Sequence, residues 1–124
     1  MPCILLIDDD PQVRAALRQM LARAGYEVIE ACNGAEGMAC WQTRPPDLII
    51  TDVFMPEQDG LEIIPLLRRL NPTAKILAIS GGDGRGHCDL LRVAQLLGAQ
   101  LTLHKPVRRQ ALLEAVRALL QEPD

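Results

Sequence analysis

Aromatic side chains are almost absent from this chain. Tyr26, Trp41 and Phe54 make up the whole 2%. A surface so poor in rings offers no platforms for stacking nucleic-acid bases, and its core has to be aliphatic. Basic charge is not in excess either. Thirteen Lys and Arg face sixteen Asp and Glu, a net charge of −3, so there is no electrostatic footprint for nucleic acid or an anionic membrane. No apolar run reaches membrane-spanning length, and no leader-like stretch precedes the first strand-like run. The four cysteines, Cys3, Cys32, Cys40 and Cys88, form no C-x-x-C pair. Cys3 and Cys32 fall in apolar strand contexts, where a free thiol behaves as a small hydrophobe. These absences predict a reduced, cytoplasmic protein with no membrane or nucleic-acid partner within this chain.

What is present is alternation. The 124 residues, 48% hydrophobic and 23% charged, suit one domain with its own core. Cys3–Ile7 reads as a strand. Asp10 then caps a helix with Pro11 at its first position, Val13, Leu17, Met20 and Leu21 form its apolar stripe, and Gly25 stops it. Further strands are expected at Glu27–Ala31, Leu48–Thr51, Lys75–Ile79 and Leu101–Leu103. Helices are expected at Ala35–Gln42, Leu61–Leu70, Asp89–Leu97 and Arg108–Gln121. Pro65 should distort the first turns of its helix by removing one hydrogen bond. Five β–α units in succession predict an α/β fold with an open, doubly wound parallel sheet. Residues 1–121 are expected to form the domain and 122–124 a short tail, with no output domain encoded.

Two of the strands end in carboxylate. Ile4-Leu-Leu-Ile runs into Asp8-Asp9-Asp10, and Leu48-Ile-Ile-Thr runs into Asp52. Ligands of open parallel sheets bind at the carboxyl ends of the strands. If these two strands are neighbours, Asp8, Asp9 and Asp52 share one small volume and repel unless a cation sits among them. Oxygen donors suit a hard divalent ion, Mg²⁺ before others.

The chain resembles the receiver domain of bacterial two-component response regulators, chemotaxis-regulator-like, over essentially its whole length. Four marks carry the resemblance: the acidic pair after strand one, Asp52-x-x-Met-Pro with Asp59-Gly60, Ser80 ending strand four, and Lys105-Pro106 ending strand five. Each is weak alone, but all four in order are highly specific. The resemblance implies the flavodoxin-like five-stranded order 2-1-3-4-5. It implies a phosphorylation-dependent switch whose phosphoacceptor is Asp52, supplied by a sensor histidine kinase or a histidine phosphotransfer protein. Asp9 would ligate Mg²⁺ directly, Asp8 directly or through water, and Asp52 and the backbone carbonyl of Phe54 would complete the protein's share. Lys105 would pair with Asp52 at rest and with a phosphoryl oxygen afterwards, and its bond to Pro106 would be cis. Ser80 would donate to the phosphoryl group. The altered surface would serve a downstream protein or a homodimer. Such a domain is not an enzyme in the usual sense, although it promotes its own phosphoryl transfer and dephosphorylation.

Some positions depart from the family's pattern. Thr102 stands where many receivers carry Tyr or Phe, so the usual ring movement is unavailable, and the glycine-rich run after Ser80 is a candidate substitute. Phe54 and Gly82 occupy positions that influence the lifetime of the acyl phosphate, and neither side chain can orient water. Val107 replaces a common aromatic as a packing variation.

Plainer readings apply elsewhere. Asp10 is a helix cap, Asp59-Gly60 a turn and helix start, and His87, Cys88 and His104 exposed loop residues without metal-ligand spacing. The run from Gly81 to Gly86 lacks the lysine and spacing of a phosphate-binding P-loop. The main rival is a small Mg²⁺-dependent phosphatase with an aspartate nucleophile, of the haloacid-dehalogenase type. Asp8-x-Asp10 superficially fits its opening motif, but Pro11-Gln12-Val13 fits a helix cap better. A pseudo-receiver that only binds protein usually loses an acidic or lysine position, and none is lost here.

Overall fold

The computed structural model describes residues 1–53, 60–80, 92 and 94–121. Its strands are β1 (Cys3–Ile7), β2 (Glu27–Ala31), β3 (Leu48–Asp52), β4 (Ile76–Ser80) and β5 (Leu101–His104). They form one parallel sheet in the order β2-β1-β3-β4-β5. The helices are α1 (Pro11–Arg23), α2 (Gly34–Thr43), α3 (Gly60–Leu70) and α4 (Arg109–Leu120). Residues 92 and 94–97 are also helical, in the span where a helix over 89–97 is expected; the rest of that span lies outside the described residues.

Parallel strands covered on both faces carry continuous apolar runs instead of alternation. β1, β3 and β4 are buried at every position, and alternate residues serve opposite layers. Ile4, Leu6, Leu48, Ile50, Leu77 and Ile79 pack with Leu17 and Leu21 of α1 and Leu112 and Val116 of α4. Leu5, Ile7, Ile49, Ile76 and Ala78 pack with Ile63, Ile64 and Leu67 of α3, and Met38 and Trp41 of α2 join their edge. The largest fully buried side chains are all Ile or Leu, as the scarcity of rings requires.

The helix ends follow their caps. Asp10 accepts from the backbone N–H of Gln12 at 2.9 Å and Val13 at 3.4 Å, and Pro11 needs no donor at the first position. Asn33 caps α2, and Glu36 reaches back one residue beyond the cap. Asn33 accepts from the Glu36 N–H, and Glu36 accepts from that of Cys32. Cys32 lies just past β2, whose end at Ala31 is as expected, and its thiol donates to Glu36 at 3.2 Å instead of behaving as a small hydrophobe. α3 runs unbroken through Pro65 because Ile63, Ile64 and Leu67 hold it on the sheet, each at most 1% exposed. β3 and β4 each extend one residue further than expected, so Asp52 and Ser80 are the last rungs of the ladder and not the residues after it. β4 begins one residue later than expected, at Ile76.

At the opposite end of the sheet, Arg68 closes the turns around β4. Its guanidinium donates to the carbonyls of Pro72, Ala74 and Gly98 and to Gln100 Oε1. Gly98 has φ +134, and a Cβ there would lie 3.1 Å from Arg68 Nε. That conformation is essentially closed to side chains. Gly98→Ala should therefore cost about 1–3 kcal/mol, read as a lowered urea midpoint with an unchanged slope. An unchanged midpoint would show that this turn adapts freely.

Candidate functional site

The strand order places β1 beside β3, which is where the chain reverses its direction of winding and where open sheets leave a crevice at the strand ends. The register sets the floor of that crevice. Ile7 pairs with Thr51, Asp52 with Ile79, and Ser80 with His104. Asp8 is the first residue past β1, Asp52 the last of β3, Ser80 the last of β4 and Lys105 the first past β5. The backbone N–H of Lys105 donates to the Ser80 carbonyl at 2.9 Å, which continues the ladder to the lysine. The Lys105–Pro106 bond is cis.

Asp8 and Asp52 are 2% and 5% exposed, whereas Asp9 is exposed. One oxygen from each of the three lies within 4.8 Å of the others. At that spacing each pair of charges repels by on the order of 3 kcal/mol for an effective dielectric constant of about 20. Lys105 relieves part of this. Its Nζ lies 2.9 Å from Asp8 Oδ2 and 2.8 Å from Asp52 Oδ2. Burial is the largest single influence on the ammonium and would pull its pKa down. Hydrogen bonds to Asp52 and Asp8, then the charges of the same two groups, together outweigh it and hold the pKa above the ordinary lysine value. Three carboxylates against one ammonium still leave a negative pocket. Hard oxygen donors this close, one of them open to solvent, fit a divalent ion of the Mg²⁺ type.

Asp8 is constrained on every side. Its N–H donates to the Ala31 carbonyl at 3.1 Å, and its Oδ1 accepts from the Asp10 N–H at 2.9 Å. Its carbonyl accepts from Arg14 Nη1 at 2.7 Å. Ser80 is fully buried, and its Oγ has no hydrogen-bond partner among the described residues. A buried hydroxyl left unpaired costs about 1–3 kcal/mol, so this donor is suited to an incoming acceptor.

The structure thus gathers Asp8, Asp9, Asp52, Ser80 and Lys105, as their positions in the sequence lead one to expect. Asp10 stays outside as a cap. Thr102 is half-buried in β5 opposite Ala78, two pairs before Ser80–His104. Val107 packs against the α1–α4 layer. Phe54, Asp59, Gly82, His87, Cys88 and the glycine run lie outside the described residues. Sequence reasoning missed Arg14 and Glu30. An arginine one turn into a helix reads as a solvated charge, and no spacing rule connects it with a glutamate on the second strand.

The profile of the response regulator receiver domain matches residues 4–117. Transcriptional regulatory protein AfsQ1 of Streptomyces coelicolor is 36% identical over 122 residues, 98% of this chain and 52% of that protein. Response regulator MprA of Mycobacterium leprae is 39% identical over 124 residues, 98% of this chain and 53% of that protein. The chain therefore spans about half the length of these curated relatives. Among solved structures, a putative response regulator from Chloroflexus aurantiacus superposes with a TM-score of 0.90 at 31% identity, covering 98% of each chain. Response regulator protein TrrA from Thermotoga maritima superposes at 0.84 and 31% identity, covering 96% of this chain and 99% of that one.

The chain belongs to the response regulator receiver domain family. It is a receiver domain of two-component signal transduction, a class that works with histidine kinases and downstream effectors and generally binds Mg²⁺ at an acidic pocket. The phosphatase alternative is not favoured. No helix among the described residues is long and apolar enough to cross a membrane.

Lys105→Met should lower the metal-free stability by about 3 kcal/mol, because it strands two buried carboxylates. Part of the loss should return with millimolar Mg²⁺ through mass action. A group whose folded pKa is raised contributes fully below its unfolded value, about pH 10.4 for lysine. The gap between wild type and variant should therefore hold to that pH and shrink as pH rises through the higher folded value. Urea unfolding at a series of pH values measures it; a gap that shrinks already between pH 6 and 9 would exclude Lys105 as its source.

Proposed function

We propose that residues 1–121 form a receiver unit in which Asp52 accepts a phosphoryl group from a phosphohistidine of a sensor histidine kinase or phosphotransfer protein. A carboxylate oxygen of Asp52 forms the new bond to phosphorus while the bond from phosphorus to the histidine nitrogen breaks, and that nitrogen keeps the electron pair. The observation that supports this reading is the Lys105 ammonium bridging Asp8 Oδ2 and Asp52 Oδ2, with the Ser80 hydroxyl at the adjacent strand end lacking a partner among the described residues. Phosphoryl transfer needs positioning and charge stabilisation more than acid–base chemistry.

Asp9, Asp8 and Asp52, with the Phe54 carbonyl, would hold Mg²⁺, and the ion would supply charge neutralisation for the phosphoryl oxygens. The Thermotoga protein similar to this chain was solved with Mg²⁺ and BeF, which supports that choice of ion. Lys105 holds the Asp52 carboxylate in place before transfer and passes to a phosphoryl oxygen afterwards. Ser80 donates its hydroxyl proton to another phosphoryl oxygen. With Thr102 in place of a ring, the surface change runs through the segment after Ser80 to the helix that follows, for a downstream protein or a second copy to read. Neither Phe54 nor Gly82 carries a side-chain group that could orient water toward the acyl phosphate. A cytoplasmic location accords with this role.

Incubation with acetyl phosphate and Mg²⁺ should add one phosphate per chain, seen by intact-mass spectrometry. Asp52→Asn or chelation should abolish it. Ser80→Ala should still be labelled, but should lose the hydrogen-exchange change that beryllofluoride produces in wild type. Normal labelling of the Asn variant would refute the assignment, and steady turnover of a free phosphomonoester would favour the phosphatase.

A further inference from the structure

Arg14 stands one turn into α1, with its N–H on the Asp10 carbonyl. Its side chain is only 20% exposed because it folds back over the start of the helix. Nη1 donates to the Asp8 carbonyl at 2.7 Å, and Nε meets Glu30 Oε1 at 3.2 Å. The other Glu30 oxygen meets Arg18 Nε at 3.2 Å. Glu30 is thus a fixed anchor on β2 that aims Arg14 at the turn after β1.

The carbonyl that Arg14 grips belongs to the peptide joining Asp8 to Asp9. Asp8 is pinned independently, through Ala31, the Asp10 N–H and Lys105. Asp9 is exposed, so the orientation of that peptide plane governs where its carboxylate goes. Arg14 and Glu30 bring one charge of each sign, so the pair steers the turn without changing the pocket's net charge.

We infer that Arg14, oriented by Glu30, is a positioning residue that sets the Asp8–Asp9 peptide plane and so places the Asp9 carboxylate for the divalent cation. This rests on the cation site proposed above. Groups that orient metal ligands without touching the ion typically change affinity by about 10–100-fold.

Calorimetric titration with Mg²⁺ tests it. Arg14→Ala should weaken binding about tenfold, and Glu30→Ala, which frees the guanidinium without altering α1, should weaken it severalfold in the same direction. Arg14→Lys should restore part of the affinity, since one amine can still reach the carbonyl. Arg18→Ala, which touches Glu30 but not Asp8, should change it less than about twofold. The decisive arm is a double-mutant cycle. In an Asp9→Asn background, the Arg14→Ala effect should largely vanish, because the group it positions is already disabled. An undiminished effect there, or unchanged affinity in both Arg14→Ala and Glu30→Ala, overturns the inference while leaving the cation site standing. Absence of Mg²⁺ binding to wild type would remove the site itself. Should Arg14→Ala fail to fold, Glu30→Ala carries the same cycle.

Discussion

The pocket depends on one bridge, Lys105 Nζ between Asp8 and Asp52. Two carboxylates almost wholly removed from water at neighbouring strand ends would otherwise have no cation between them among the described residues. Bringing an ammonium to 2.8 and 2.9 Å ties the far side of the sheet, β5, to its centre, β1 and β3. The arrangement is held under tension, because burial penalises all three charges while their mutual attraction offsets it. Exposed Asp9 keeps the pocket acidic, so it still attracts a cation after the lysine is counted.

The rest of the fold presents this constellation at fixed distances. An aliphatic sheet packed on both faces leaves little freedom to the strand ends, and the functional groups sit there. The pairs Ile7–Thr51, Asp52–Ile79 and Ser80–His104 set the spacing of the floor. Asp10 fixes where α1 begins, which brings Arg14 back over the Asp8 carbonyl. Close packing at the floor is matched by a donor without a partner among the described residues, Ser80 Oγ, whose pairing an arriving phosphoryl oxygen would complete. That would be a physical basis for the proposed switch: the charge change would fall on a well-packed frame, and its readout would begin at a hydroxyl without a partner among the described residues.

Much of this was legible before folding. Apolar runs of four or five residues that end in Asp marked the central strands and the ends that matter. Pro11 after Asp10 marked the start of α1. Asp8, Asp9 and Asp52 could be picked out because strand-like runs end in them, and position along a parallel strand is a one-dimensional property; Ser80 and Lys105 stood out only through the resemblance to the receiver family. Strand ends were less certain: Asp52 and Ser80 belong to their ladders, since pairing with Ile79 and His104 extends each strand beyond the point where its apolar residues stop. The hydrogen bonding of Cys32 was not legible because it comes from Glu36, which reaches back from the next helix.

The sequence by itself determined the order of elements, the aliphatic core and the carboxylate-ended strands, because periodicity, caps and composition act between near neighbours along the chain. Only the tertiary structure decided that Lys105 bridges two acids, that Ser80 Oγ is left without a described partner and that Arg14 grips the turn between Asp8 and Asp9. Those contacts join residues on different strands and helices, and strand order, register and side-chain reach exist only once the sheet has closed.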